Sequence, residues 1–169
     1  MPRERFRNNH NFLPKEALLS FEEIAKVVNS CIPLGLEKVR ITGGEPLLRK
    51  DLPKLVEMLS NLGLEIALTT NASLLKKQAQ ALRSAGLTRI TVSLDALDPE
   101  LHSKMSDSNI SVESVLEGIE EAIKVGLSPV KINCVVQKGV NEEEVSKLVN
   151  YFRYTDVKVR FIEYMDVGT

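Results

Sequence analysis

Cysteine is nearly missing from this sequence: Cys31 and Cys134 are the only two in 169 residues, and they stand far apart. That excludes a disulfide framework and a zinc site built from cysteine pairs. Each is expected to be a small apolar residue of the core, in a reducing cytoplasm. Long apolar runs are missing too. None approaches the roughly 18 residues of a membrane span, and the start has no secretory hydrophobic segment. Charge bias is also lacking, since 22 Lys plus Arg face 23 Asp plus Glu. Nothing in that balance calls for nucleic acid or an acidic membrane surface as partner. No Pro-rich or Ser-rich linker and no low-complexity tract divides the chain. What is present is 43% hydrophobic and 27% charged residues, ordinary values for a single globular domain over 1–169. A chain of this length hides about 68–70% of its unfolded surface.

The elements alternate. Ser20-Phe-Glu-Glu23 is a capping box, flanked by Leu19 and Ile24 as a hydrophobic staple, and opens a helix to about Cys31. The segment 38–42 alternates polar and apolar residues as a strand. Asp51 is the expected N-cap of a helix over 52–62, and a strand follows at 64–70. A helix over 74–85 ends at Gly86, where a positive φ is wanted. Then come a strand at 88–94, a short helix at 99–105, and a longer helix capped by Ser111 that ends at Gly126. A strand at 130–137, a helix capped at Asn141, and a strand at 157–164 complete the series. Strict alternation implies a parallel sheet with right-handed crossovers, either open and doubly wound or curled into a barrel. Both place ligands at the C-terminal ends of the strands. His10 and His102 lie in polar segments and are expected on the surface.

Those strand ends carry small and polar residues. Gly43-Gly44-Glu45-Pro46 stands out. Two glycines let carbonyl oxygens approach a cationic amine, Glu45 adds an anionic acceptor, and Pro46 fixes the exit. A tight structural turn is the plainer reading of such a pair. No G-x-G-x-x-G and no P-loop lysine occurs.

Five phrases then fall in order: Val39-Arg-Ile-Thr-Gly-Gly-Glu-Pro-Leu-Leu-Arg49, Leu68-Thr-Thr-Asn71, Val92-Ser-Leu-Asp-Ala96, Val136-Gln-Lys-Gly-Val-Asn141 and Arg160-Phe-Ile-Glu-Tyr-Met-Asp-Val-Gly168. Together they closely resemble the molybdenum cofactor biosynthesis protein A family of radical S-adenosylmethionine enzymes, over essentially the whole chain. The resemblance implies a partial (β/α)6 TIM-like barrel of five strands with its first strand missing. It implies conversion of GTP to (8S)-3′,8-cyclo-7,8-dihydroguanosine 5′-triphosphate in molybdopterin biosynthesis. By the same resemblance Gly43, Gly44, Glu45, Pro46, Ser93 and Met165 would contact S-adenosylmethionine, and Arg40, Thr69 and Lys131 would contact GTP. The cations suit phosphate, Arg40 bidentately and Lys131 as a point charge.

The family also uses two 4Fe–4S clusters, the first held by C-x3-C-x2-C, which leaves one iron open to the cofactor. This sequence contains neither ligand set. Met1-Pro2 followed by Phe12-Leu-Pro-Lys15 reads as though the chain begins just after the third cluster cysteine, and it stops at Thr169 before the second cluster segment. The chain alone is therefore expected to be inactive, with no catalytic or metal-binding residue assigned. A hydrophobic edge left by the absent strand would promote self-association. Two other readings stand beside this one. One is a non-catalytic remnant that binds S-adenosylmethionine or GTP, or serves as an interaction surface. The other is a barrel enzyme with Lys131 as a Schiff base and Glu163 as acid–base.

Overall fold

The computed structural model describes residue 14 and residues 17–165. Among these, helices and strands alternate as α1 Phe21–Cys31, β1 Lys38–Ile41, α2 Leu52–Ser60, β2 Glu65–Thr70, α3 Leu75–Ser84, β3 Leu87–Ser93, α4 Pro99–Ser106, α5 Val112–Lys124, β4 Lys131–Val136, α6 Glu142–Phe152 and β5 Lys158–Glu163.

The local chemistry explains most boundaries. Ser20 Oγ accepts from the Glu23 amide at 3.1 Å, and Glu23 Oε2 accepts from the Ser20 amide at 2.7 Å. Such a box contributes about 1 kcal/mol. Ser111 Oγ accepts from the Ser114 amide at the start of α5. Gly86 ends α3 at φ 100°, and a side chain there would collide with Ser60.

Two expected caps are corrected. Asp51 precedes α2 but sits in the left-handed region at φ 58°, with no side-chain cap bond. Pro53 occupies the second helical position and has no amide to offer it. Asn141 likewise makes no cap bond to α6. Its side chain turns inward instead: Nδ2 donates to the carbonyls of Asp95 and Val135 at 2.9 Å each, and Oδ1 accepts from the Gln137 amide at 2.8 Å. The staple is open, since Leu19 is 52% exposed. Cys134 is buried in the core as expected, whereas Cys31 is only half-buried.

All strands are parallel and follow sequence order, β1-β2-β3-β4-β5. Each crossover therefore advances one place in one direction. A doubly wound sheet would reverse direction, so the arrangement is a partial barrel. Right-handed crossovers put the helices on one face. There Ile66, Leu68, Ile90, Val92, Ile132 and Cys134 are fully buried in a single core. The other face is the inner one. The β1 edge is mixed rather than hydrophobic: Lys38 and Arg40 are exposed, and Val39 and Ile41 are half-buried. Among the described residues no helix is long and apolar enough to cross a membrane.

His102 corrects the surface assignment. It is 5% exposed on α4, and its Nδ1 has no hydrogen-bond partner among the described residues. Burial lowers its pKa, while the carboxylates of Asp95 and Glu113 oppose that shift. His10 lies outside the described residues, as do Phe12, Leu13 and Lys15 of the 12–15 segment and residues 166–169 of the last phrase.

The His102 shift has a definite sign. A histidine whose folded pKa lies below its unfolded value, about 6.5, costs stability when it must be protonated. Stability is therefore complete above that pH and is lost as pH falls through the lowered folded value. Denaturant melts between neutral and mildly acidic pH should show this slope, and His102→Gln should flatten it. An unchanged slope in the variant would place the titrating group elsewhere.

Candidate functional site

Residues paired in a parallel register point to the same face, and side chains alternate along each strand. The inner face can therefore be read in rows. Lys38 pairs with Glu65. Arg40 pairs with Ala67, and Ala67 with Arg89. Thr69, Thr91, Lys131 and Lys158 form one row, and Ser93, Asn133 and Arg160 the next. Six cations (Lys38, Arg40, Arg89, Lys131, Lys158 and Arg160) thus share the strand positions of this face with one acid, Glu65. Most outer positions of β1–β4 are apolar and packed under the helices, whereas β5 places Phe161 and Glu163 there exposed.

The polar contacts tie these rows together. Arg40 Nη1 donates to Thr69 Oγ1 and to Thr91 Oγ1, both at 3.1 Å. Arg160 Nη2 donates to Asn133 Oδ1 at 2.6 Å. Glu65 Oε1 lies 2.6 Å from Arg89 Nε and 3.1 Å from Lys38 Nζ. Lys131 has its pKa lowered, first by desolvation and then by Arg160, Arg89, Arg40 and Lys158. A group of like charges held this close is stabilised by a counter-anion, and Lys and Arg in these roles suit phosphate.

The structure brings Arg40 and Thr69 into direct contact and places Lys131 on the same face. It adds Lys38, Arg89, Thr91, Asn133, Lys158 and Arg160, which lie within the strands rather than in the loops that follow them. Their signal is present in the sequence. Polar residues recur at every second position within strands that are otherwise Ile, Val and Leu, a pattern out of place in strands covered by apolar layers on both faces.

At the C-terminal mouth, Gly43-Gly44 follows β1. Gly43 has φ 149°, and no atom stands within 4 Å of where a side chain at Gly43 or Gly44 would begin, so the backbone there is open to a ligand. The turn itself is pinned from several sides. Glu45 Oε1 accepts from the Leu47 amide at 3.0 Å and from Thr70 Oγ1 at 2.7 Å, and Oε2 accepts from the Asn71 amide at 2.7 Å. Pro46 and Leu47 are buried, and Gln78 Nε2 on α3 donates to the Leu47 carbonyl at 2.9 Å. Arg49 Nη2 donates to the Leu19 carbonyl, and its guanidinium lies 4.6 Å from the centre of the Phe21 ring. The structure thus gives the Glu45 carboxylate three intramolecular donors that fasten the turn to the end of β2.

Ser93 stands exposed at the end of β3, and Met165 follows β5 at 68% exposure. Gly44, Ser93 and Met165 therefore share one end of the barrel, after its first, third and fifth strands. Behind Ser93, Asp95 Oδ1 accepts from the Val135 amide at 2.7 Å. Burial raises the pKa of Asp95. Burial, with help from Asp95 and Glu144, pushes the Cys134 thiol up to about 12. Among the described residues no three His, Cys, Asp or Glu side chains are grouped to hold a metal ion. These residues do not fit an iron–sulfur cluster. The paired Lys131 and Glu163 of a Schiff-base enzyme are not assembled either. Glu163 is in register with Val136, on the opposite face from Lys131.

A family model described as the radical SAM superfamily matches residues 5–152. The chain belongs to this superfamily. Over 99% of its length it is 50% identical to a GTP 3′,8-cyclase of Acidothermus cellulolyticus and 51% identical to one of Staphylococcus carnosus. It covers 47% and 50% of those two proteins, so it spans about half the length of the curated relatives it matches. The radical SAM fold is shared with Streptococcus suis SuiB in its S-adenosylmethionine complex, at TM-score 0.75 and 23% identity over 95% of this chain and 36% of that one. Methylornithine synthase superposes at TM-score 0.66 and 21% identity, over 94% of this chain and 47% of its own.

Glu45→Gln should cost about 1–3 kcal/mol, because its amide nitrogen cannot accept from the donors left facing it. Urea melts of the variant would measure this. Unchanged stability would mean that the carboxylate does not hold the turn.

Proposed function

We propose that this chain is the cofactor- and substrate-binding part of a GTP 3′,8-cyclase-type radical SAM enzyme of molybdenum cofactor biosynthesis. The observation that carries the reading is the inner face, where six cations on adjacent strands meet one acid. Such a surface is suited to a nucleoside triphosphate. Arg40, held between Thr69 and Thr91, presents its guanidinium in a fixed orientation, and Lys131 supplies a point charge three strands along the sheet.

S-adenosylmethionine belongs at the mouth above this face, and in the family it supplies the radical chemistry. Here the open Gly43-Gly44 backbone would offer carbonyls to its amine, and Glu45 and Pro46 would keep the turn in place. Ser93 and Met165 would complete the site from β3 and the end of β5. The half-identical cyclases support the assignment of GTP as substrate, and a cytoplasmic setting goes with this reading. The 169 residues alone are expected to bind GTP without converting it, because they carry no C-x3-C-x2-C. Self-association through the β1 edge accompanies this reading.

Isothermal titration with GTP tests it. Binding should weaken steeply with added salt, as expected for exposed charges screened over about 10 Å. Arg40→Ala should weaken it about tenfold or more, since a charge-assisted bond contributes about 1.5–3 kcal/mol. Affinity should also fall as pH rises through the lowered pKa of Lys131, because the bound anion favours the ammonium. Lys131→Met should abolish that step. Salt-independent binding, or none, would refute the reading.

A further inference from the structure

Glu65 is the one carboxylate among the cations of the inner face, and its Oε1 lies within ion-pair distance of two of them without a hydrogen bond of good geometry to either. It opens β2 opposite Lys38 in register, and it bridges Lys38 Nζ at 3.1 Å and Arg89 Nε at 2.6 Å. These two cations lie in the rows nearest the N-terminal ends of the strands, deepest from the mouth. Arg40 shares the row of Arg89 but turns its guanidinium to Thr69 and Thr91 in the row above, while Lys131 and Lys158, and then Arg160, stand closer to the mouth; none of these four has a carboxylate of its own among the described contacts. The cationic face is therefore graded, unneutralised toward the mouth and neutralised at its base.

The Glu65 side chain is 31% exposed, so it is neither locked in the core nor loose in solvent. A carboxylate in that position competes with any anion that reaches the same two cations. We propose that Glu65 is an internal competitor for phosphate and a specificity-determining residue of the substrate site: it yields Lys38 and Arg89 only to a polyanion long enough to reach the base of the face. The inference rests on the anion-binding reading of the inner face. A short anion would meet only the upper cations and leave Glu65 in place. A longer one must displace Glu65, and that exchange lowers its affinity, which keeps a highly charged ligand releasable.

The test compares wild type and Glu65→Gln for binding of GTP, GDP and inorganic triphosphate by isothermal titration. Gln is isosteric and uncharged, and thermal melts of both proteins verify that the variant is folded. The expected result is tighter binding of GTP and of inorganic triphosphate, by about tenfold for one charge-assisted pair released, with a much smaller change for GDP. Adding Lys38→Gln to Glu65→Gln should cancel part of the gain, and a double-mutant cycle would measure the coupling. If inorganic triphosphate shows the gain and guanosine adds nothing, Glu65 keeps its role and the assignment of GTP fails. Weakened binding would mean that Glu65 orients the two cations as ligands, which overturns the proposal. Equal shifts for GTP and GDP would overturn it as well, and so would no shift or no anion binding by either protein. Should Glu65→Gln melt early, Arg89→Gln in the wild-type background gives an independent arm. It leaves Glu65 paired with Lys38 alone, and the ratio of GTP to GDP affinity should fall.

Discussion

Right-handedness of the parallel crossover governs nearly everything described here. A strand that must rejoin its neighbour in parallel needs a helical connection, and the twist of the sheet allows that connection on one side only. Five strands added in sequence order therefore gather the described helices on one face. That face takes the apolar residues of the central strands, and Ile66, Leu68, Ile90, Val92, Ile132 and Cys134 are buried there. The remaining half of each strand is released from the core. In this chain it is occupied mainly by arginine, lysine, threonine, serine and asparagine, with Glu65 as its one acid and Ala67, Val135 and Ile162 as apolar members.

Gathering six cations on one surface is electrostatically unfavourable, and the structure shows how the strain is distributed. Glu65 neutralises the deepest pair. Threonine hydroxyls accept from Arg40, and the Asn133 carbonyl accepts from Arg160, so donors are satisfied without cancelling charge. Desolvation first, and then the neighbouring Arg160, Arg89, Arg40 and Lys158, lowers the pKa of Lys131. A surface left in this condition gains most from a bound anion of several charges. The mouth above it is arranged differently. The Gly43-Gly44 backbone is bare, while Glu45 and Arg49 fix the turn to β2 and to the start of α1. One region supplies charge and the other supplies an open, held backbone.

Much of this was legible in the sequence. Ser20, Ser111 and Gly86 marked element ends because their chemistry is local, an oxygen for a free amide or a backbone that tolerates positive φ. Asp51 and Asn141 misled for the same reason. Both residue types favour helix starts, but Pro53 removes a donor from one, and distant carbonyls of Asp95 and Val135 claim the other. His102 looked solvated because its neighbours in sequence are polar, whereas α4 turns it inward to 5% exposure. The choice between an open sheet and a barrel required strand order, which alternation alone does not contain. For the site, Arg40, Thr69 and Lys131 were named through a family resemblance, while Arg89, Thr91, Asn133, Lys158 and Arg160 needed the register that sets them side by side.

The central claim is that the inner face of the barrel holds the phosphates of the ligand. Arginine side-chain resonances followed by NMR during a GTP titration test it most directly. The account predicts that the Nε–H signals of Arg40, Arg89 and Arg160 shift together and saturate, while that of Arg153, beside Tyr154 beyond α6, stays fixed. Shifts confined to Arg153 or to the cavity lined by Glu142, Glu143 and Lys147 at the start of α6 would contradict it.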